Sequence, residues 1–158
     1  MIDQDLTQQA FTTILKHFVA TGRAPHYGEL ADALEVGMEE AREVQRAAVE
    51  ASPIASCWLA HDTDHIESYA PFSNVPTQYL ISVDGTQKWY GQCGMESLAV
   101  RWLFPRQEVV VESRCLDCGE LIRVRARDEE ILEIEPETAV GYMPSPFAAS
   151  RVGSAAFN

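Results

Sequence analysis

A change of hydrophobic period near Ser52 constrains this chain more than any other feature. Before it, apolar residues recur at helical spacing; after it, short alternating runs are punctuated by turns. Phe11, Ile14, Leu15, Phe18 and Val19 share one helical face, and the segment stops at Thr21-Gly22. A second helix carries Leu30, Ala33 and Leu34. Past a break at Gly37, a third carries Ala41, Val44 and Ala48. This cadence predicts a three-helix, helix-turn-helix-like unit over residues 1–52. From 53 to 158 the pattern predicts a mostly antiparallel sheet. The fold class expected is therefore α+β, with the helical unit packed on the sheet.

Within the second part, Trp58-Leu59 and Ile66–Tyr69 flank the polar turn His61-Asp62-Thr63-Asp64. Gln78–Val83 pairs with Gln87–Tyr90 across Asp84-Gly85, a strong hairpin signal. Cys93-Gly94 then opens a short helix with Leu98, Trp102 and Leu103 facing inward, ended by Pro105. Val109–Val111, Ile122–Val124 and Ile131–Ile134 read as further strands, and Cys115-Leu116-Asp117-Cys118-Gly119 as a tight turn between two of them. The closing stretch GYMPSPFAASRVGSAAFN has no clear period.

Charge limits the partners. The 158 residues hold 12 basic and 24 acidic side chains, a formal charge of -12. Such a field repels phosphate backbones and anionic lipid surfaces, so neither nucleic acid nor membrane is expected as a partner. The third helix sharpens this, since Glu39, Glu40, Glu43 and Glu50 outnumber Arg42 and Arg46 on a would-be recognition surface. The start MIDQDLTQQA has neither the basic segment nor the apolar core of a secretion signal, and no window approaches the ~18 apolar residues of a membrane span. A cytoplasmic location is expected, with all four cysteines kept as thiols.

Cys93 follows a strand and heads a helix, where free N–H groups and the helix dipole favour a thiolate and should lower the thiol pKa. Glu96, three residues on, lies on the same face and brings a carboxyl group toward the sulfur. The bland reading is a small buried hydrophobe beside a solvated glutamate. Cys115 and Cys118, in C-x-x-C-G, have the spacing of a metal knuckle or a redox pair. Flanking strands favour the knuckle. A closed zinc site would need two more ligands, from Cys57, Cys93 or a histidine. His61 and His65 belong to a solvated turn, His17 and His26 to surface or packing positions, and Arg123, Arg125 and Arg127 to the solvated face of a sheet.

Taken in order, the stretch DTDHIESYAPFSNVPTQYLISVDGTQKWYGQCGMESLAVRWLFPRQEVVVESRCLDCGELIRV resembles the organomercurial (alkylmercury) lyase family. It combines an acidic turn, Y-A-P-F-S, P-T before an alternating strand, a D-G hairpin and an aromatic approach to a cysteine on a helix. The resemblance extends over roughly residues 5–135. It implies a winged-helix-like N-terminal unit that does not serve DNA binding, and a reaction that protonates a carbon–mercury bond to give a hydrocarbon and Hg(II). In that reading a thiolate captures the soft metal of a small organomercurial, and a carboxylic acid delivers a proton to carbon. A second thiolate holds Hg(II) until cellular thiols or a mercuric-ion acceptor remove it. No cofactor is required.

Residue by residue, Cys93 matches the family's first catalytic cysteine, Glu96 stands where the family has a catalytic aspartate, and Cys115 matches a cysteine regarded as structural. Two departures follow. Glu96 is one methylene longer than aspartate, and no cysteine follows Cys118 where the family carries its second catalytic thiol on a C-terminal strand. Either the chain is truncated before that residue, or Cys118 or Cys57 substitutes, or the protein is a noncatalytic relative that binds a soft metal ion through Cys93, Cys115 and Cys118.

Overall fold

The computed structural model describes residues 4–52 and 56–141. Two units emerge, divided after Tyr69. The closing stretch without period lies almost wholly outside the described residues.

The first unit holds three helices, α1 (Gln4–Thr21), α2 (Tyr27–Leu34) and α3 (Met38–Glu50), followed by a hairpin of β1 (Cys57–Leu59) and β2 (Ile66–Tyr69). Helices followed by a two-stranded hairpin form a winged-helix-like arrangement. The apolar stripe of α1 centres on Ala10, Ile14 and Phe18, all fully buried, at i, i+4 and i+8. Phe11, Leu15 and Val19 flank that line and are half-buried, so the stripe is rotated slightly from the face read in the sequence. Leu30 from α2 and Ala41, Val44 and Ala48 from α3 complete the core. His26 is exposed, as expected of a surface residue, and also caps α2: its Nδ1 accepts from Gly28 N at 3.0 Å, while Glu29 accepts from His26 N at 2.8 Å.

The hairpin belongs with the helices because its turn is tied to α3. Arg42 and Arg46 both bind the Asp64 carboxylate, Arg46 Nε at 2.7 Å, and Gln45 donates to the Asp64 carbonyl. These guanidinium groups hold the Asp64 carboxyl down at about 2. The arginines of the helix that would read DNA thus serve a contact inside the chain. The units divide after this hairpin, at Tyr69.

The second unit is a sheet of β3 (Phe72–Ser73), β4 (Leu80–Val83), β5 (Thr86–Gly91), β6 (Val109–Arg114), β7 (Leu121–Arg127) and β8 (Glu130–Glu135), with α4 (Gly94–Ala99) and a 3-10 turn (Val100–Leu103) between β5 and β6. The strands run in the order β3-β5-β4-β6-β7-β8, and each neighbouring pair is antiparallel. Asp84 (φ 45) and Gly85 (φ 80) make the tight turn expected of Asp-Gly. The register places Trp89, Ile81, Val111, Val124 and Ile134 in one row, and the buried core lies on this side, with Val83, Val109 and Ala126.

The opposite side carries Arg123, Arg125 and Arg127. Rather than a merely solvated face, it is a ladder of ion pairs, with Arg125 bonded to Glu108 at 2.9 and 3.0 Å and to Glu133 at 2.8 Å. One inward assignment is corrected. Trp102 is 58% exposed, with the Arg101 guanidinium 4.5 Å from its ring centroid. The chain tightens into a 3-10 turn after Ala99, which rotates the inward face onto Val100 and Phe104. Among the described residues, no helix is long and apolar enough to cross a membrane.

Candidate active site: a buried thiol and carboxyl on one helical turn

Two backbone bonds and one from a side chain pin the strand end that delivers Cys93. Gly91 N donates to the Tyr79 carbonyl at 2.9 Å, Gln92 N to the Pro71 carbonyl at 3.0 Å, and the Thr77 hydroxyl to the Gly91 carbonyl at 2.7 Å. Gly91 must be glycine here, because a Cβ would stand 1.8 Å from Ser97 Oγ. Ser97 is fully buried and donates to the Cys93 carbonyl at 2.6 Å, locking the first turn of α4. At Gly94 a Cβ would meet the Tyr79 ring at 3.3 Å. Gly91, Tyr79 and Ser97 carry no signal of their own in the sequence and Thr77 enters it only through P-T, although G-Q-C-G holds a visible hint: two small residues bracket the thiol.

Cys93 is the N-cap of α4 in extended conformation (φ -148, ψ 171). Its sulfur accepts the Glu96 backbone N–H at 3.4 Å and lies 3.7 Å from Glu96 Oε2. The structure therefore brings together the two residues that the sequence paired. It overturns the expected direction of the thiol's shift. Cys93 is only 6% exposed, and burial pushes its thiol up to about 11 despite the helix N–H donors, with the Glu96 charge adding to the rise. Burial likewise raises the Glu96 carboxyl to about 7, with the Cys93 thiol pulling against it. Near neutral pH the pair thus holds a protonated sulfur beside a carboxyl poised to take or give a proton.

Cys115 and Cys118 occupy the β6–β7 turn, as expected, with Cys118 exposed and Cys115 half-buried. The Cys115 thiol lies below its usual value because the N–H groups of Cys118 and Asp117, and the Cys118 thiol, hydrogen-bond to its sulfur. Among the described residues no group of three or more His, Cys, Asp or Glu is arranged to hold a metal ion, so Cys93 is not gathered with Cys115 and Cys118 into one cluster. Cys57 is buried in β1. His61 is exposed, whereas the His65 ring lies 5.5 Å from His26 and 6.1 Å from Tyr27.

Fold and site define an α+β protein with a buried cysteine–glutamate pair heading a short helix. A family model, MerB: alkylmercury lyase, matches residues 72–155, which include the whole of that site. The chain belongs to the alkylmercury lyase family. Alkylmercury lyases of Bacillus cereus and Clostridium butyricum are each 34% identical over 84 residues, 53% of this chain. The chain spans only 38% of the length of these relatives. The mercury-bound form of MerB2 superposes with a TM-score of 0.66 at 19% identity, covering 86% of this chain and 62% of that one, a likeness of fold.

Proposed function

We propose that this protein cleaves carbon–mercury bonds by protonolysis, with Cys93 capturing the metal and Glu96 handling the proton. The observation that carries this reading is the 3.7 Å approach of the Cys93 sulfur to a Glu96 carboxyl whose pKa is raised to about 7. A thiol of high pKa binds a soft cation only if its proton has somewhere to go, and the neighbouring carboxylate is that acceptor.

The steps balance. An organomercurial R–Hg–X meets the Cys93 thiol; the S–Hg bond forms, X⁻ leaves, and the thiol proton passes to the Glu96 carboxylate. The resulting carboxylic acid then protonates the carbon as the C–Hg bond breaks. R–H departs, the bonding pair having gone to the new C–H bond, and Hg(II) stays on sulfur while Glu96 is again a carboxylate. Cellular thiols supply the second sulfur ligand and carry Hg(II) away. Glu96 thus receives and returns the same proton, which suits a group that titrates near neutrality.

A second reading, capture of a soft metal without cleavage, is favoured by the absence, among the described residues, of a second thiol gathered with Cys93 and Glu96. Reduced protein mixed with phenylmercury acetate, with benzene measured by gas chromatography, separates the two. Benzene release that disappears in Cys93→Ser and Glu96→Gln supports protonolysis. Retention of intact phenylmercury on the wild-type protein supports capture alone, and full release by both variants removes these residues from the mechanism.

A further inference from the structure

The C-x-x-C turn is a built feature that the proposed cleavage does not use. Cys115 N donates to the Glu120 carbonyl at 2.8 Å, and Gly119 N to the Cys115 carbonyl at 2.9 Å. Gly119 takes φ +75 to close the turn, and Arg114 Nη1 donates to the Gly119 carbonyl at 3.1 Å. These bonds close a tight turn with a cysteine at position 115 and another at 118. The turn carries two thiols, Cys115 half-buried and Cys118 exposed, with Leu116 between them 71% exposed.

The number of donors selects the ion. Zinc in a closed site takes four ligands, and among the described residues nothing adds a third to this pair. Two soft thiolates with no further ligand suit a thiophilic cation content with two-coordinate geometry. We propose that Cys115 and Cys118 form a surface dithiol site for such a cation, mercuric ion above all.

Topology gives the site a further use. β5 and β6 both pair with β4, in antiparallel fashion, with Tyr90 and Glu112 level with Leu80 on either side. They therefore run in the same direction and leave the sheet at the same edge. Cys93 lies two residues beyond the end of β5 and Cys115 one beyond the end of β6. Two strand spacings, roughly 10 Å, separate those strand ends. An ion released from Cys93 meets the dithiol on its way out; this transfer rests on the proposed cleavage, whereas binding at the dithiol does not.

The test uses the full reduced chain with one equivalent of HgCl2 and an excess of glutathione, followed by iodoacetamide and peptide mapping. Glutathione strips mercury from single thiols, so the expected result is protection of the peptide holding Cys115 and Cys118. In Cys118→Ser, where the chelate is lost, the glutathione concentration needed to remove mercury should fall by about 100-fold or more. Alkylation of Cys115 and Cys118 at the metal-free rate would overturn the proposal, as would equal protection by ZnCl2 alone. Failure of benzene release from phenylmercury, with the peptide still protected by HgCl2, would refute the cleavage and leave the dithiol site standing.

Discussion

The Cys93 sulfur and the Glu96 carboxyl face each other across one turn of α4, 3.7 Å apart, while the Glu96 backbone N–H donates to the same sulfur at 3.4 Å. One residue therefore supplies both a fixed donor that favours thiolate and a movable carboxyl that exchanges a proton with it. The spacing is inherited from the helix, in which residues three apart share a face.

Replacing Glu96 tests the exchange. Glu96→Gln keeps the shape but cannot transfer a proton, so benzene release from phenylmercury should fall by about 10²–10⁴-fold, the usual contribution of a positioned acid. Capture of phenylmercury at Cys93 should also slow, because the thiol proton loses its acceptor, read as slower loss of one titratable thiol. Glu96→Asp restores an acid on a shorter arm and should recover part of the rate. Release by Glu96→Gln at the wild-type rate would show that the proton comes from elsewhere.

The same carboxyl should mark stability. Its folded pKa, about 7, exceeds its ordinary 4.5, so the folded state binds the proton more tightly. The stabilisation this gives is complete below about pH 4.5 and is lost as pH rises through 7. Asp64 acts in another window: held at about 2 by Arg46 and Arg42, it stabilises above its ordinary 3.8 and loses that effect in strong acid. Thermal melts between pH 5 and 8 should show wild-type Tm declining relative to Glu96→Gln. Parallel curves would mean that Glu96 is not raised.

The strand end beneath the thiol offers a steric prediction. In Gly91→Ala the new methyl would stand 1.8 Å from Ser97 Oγ, 2.9 Å from Ser97 Cβ and 3.2 Å from Ile81 Cδ1. Such overpacking costs about 1–3 kcal/mol. It should also displace the Ser97 hydroxyl from the Cys93 carbonyl and so lower benzene release. Adding Ser97→Ala removes the closest atom but leaves the Cβ conflict, and should recover part of the lost stability in urea unfolding. Wild-type stability in Gly91→Ala alone would show that the strand end yields freely.

The sequence carried the parts of this structure that depend on period and turn chemistry. The α1 stripe, the Asp84-Gly85 hairpin and the Cys93–Glu96 pair all follow from spacing along one element. What escaped depends on contacts between elements. Trp102 counts as inward only if α4 keeps 3.6 residues per turn, and the 3-10 turn breaks that rule. The direction of the Cys93 shift is set by burial, which a helix N-cap position does not reveal. The capture of Arg42 and Arg46 by Asp64 joins residues some twenty positions apart, and nothing local announces it.

A last prediction concerns Tyr69, whose side chain is fully buried against Phe11, with ring centroids 5.3 Å apart. Its hydroxyl has no hydrogen-bond partner among the described residues. Burial also pushes the phenol above its ordinary pKa, so it stays neutral. A buried hydroxyl without a partner forfeits its hydration for nothing, a cost of about 1–3 kcal/mol. Tyr69→Phe keeps the ring and its contact with Phe11 while removing that cost. The variant should be as stable as wild type or more stable by up to about 2 kcal/mol in urea unfolding, with an unchanged m-value. A loss of more than about 1 kcal/mol would instead show that the hydroxyl makes a hydrogen bond in the folded protein.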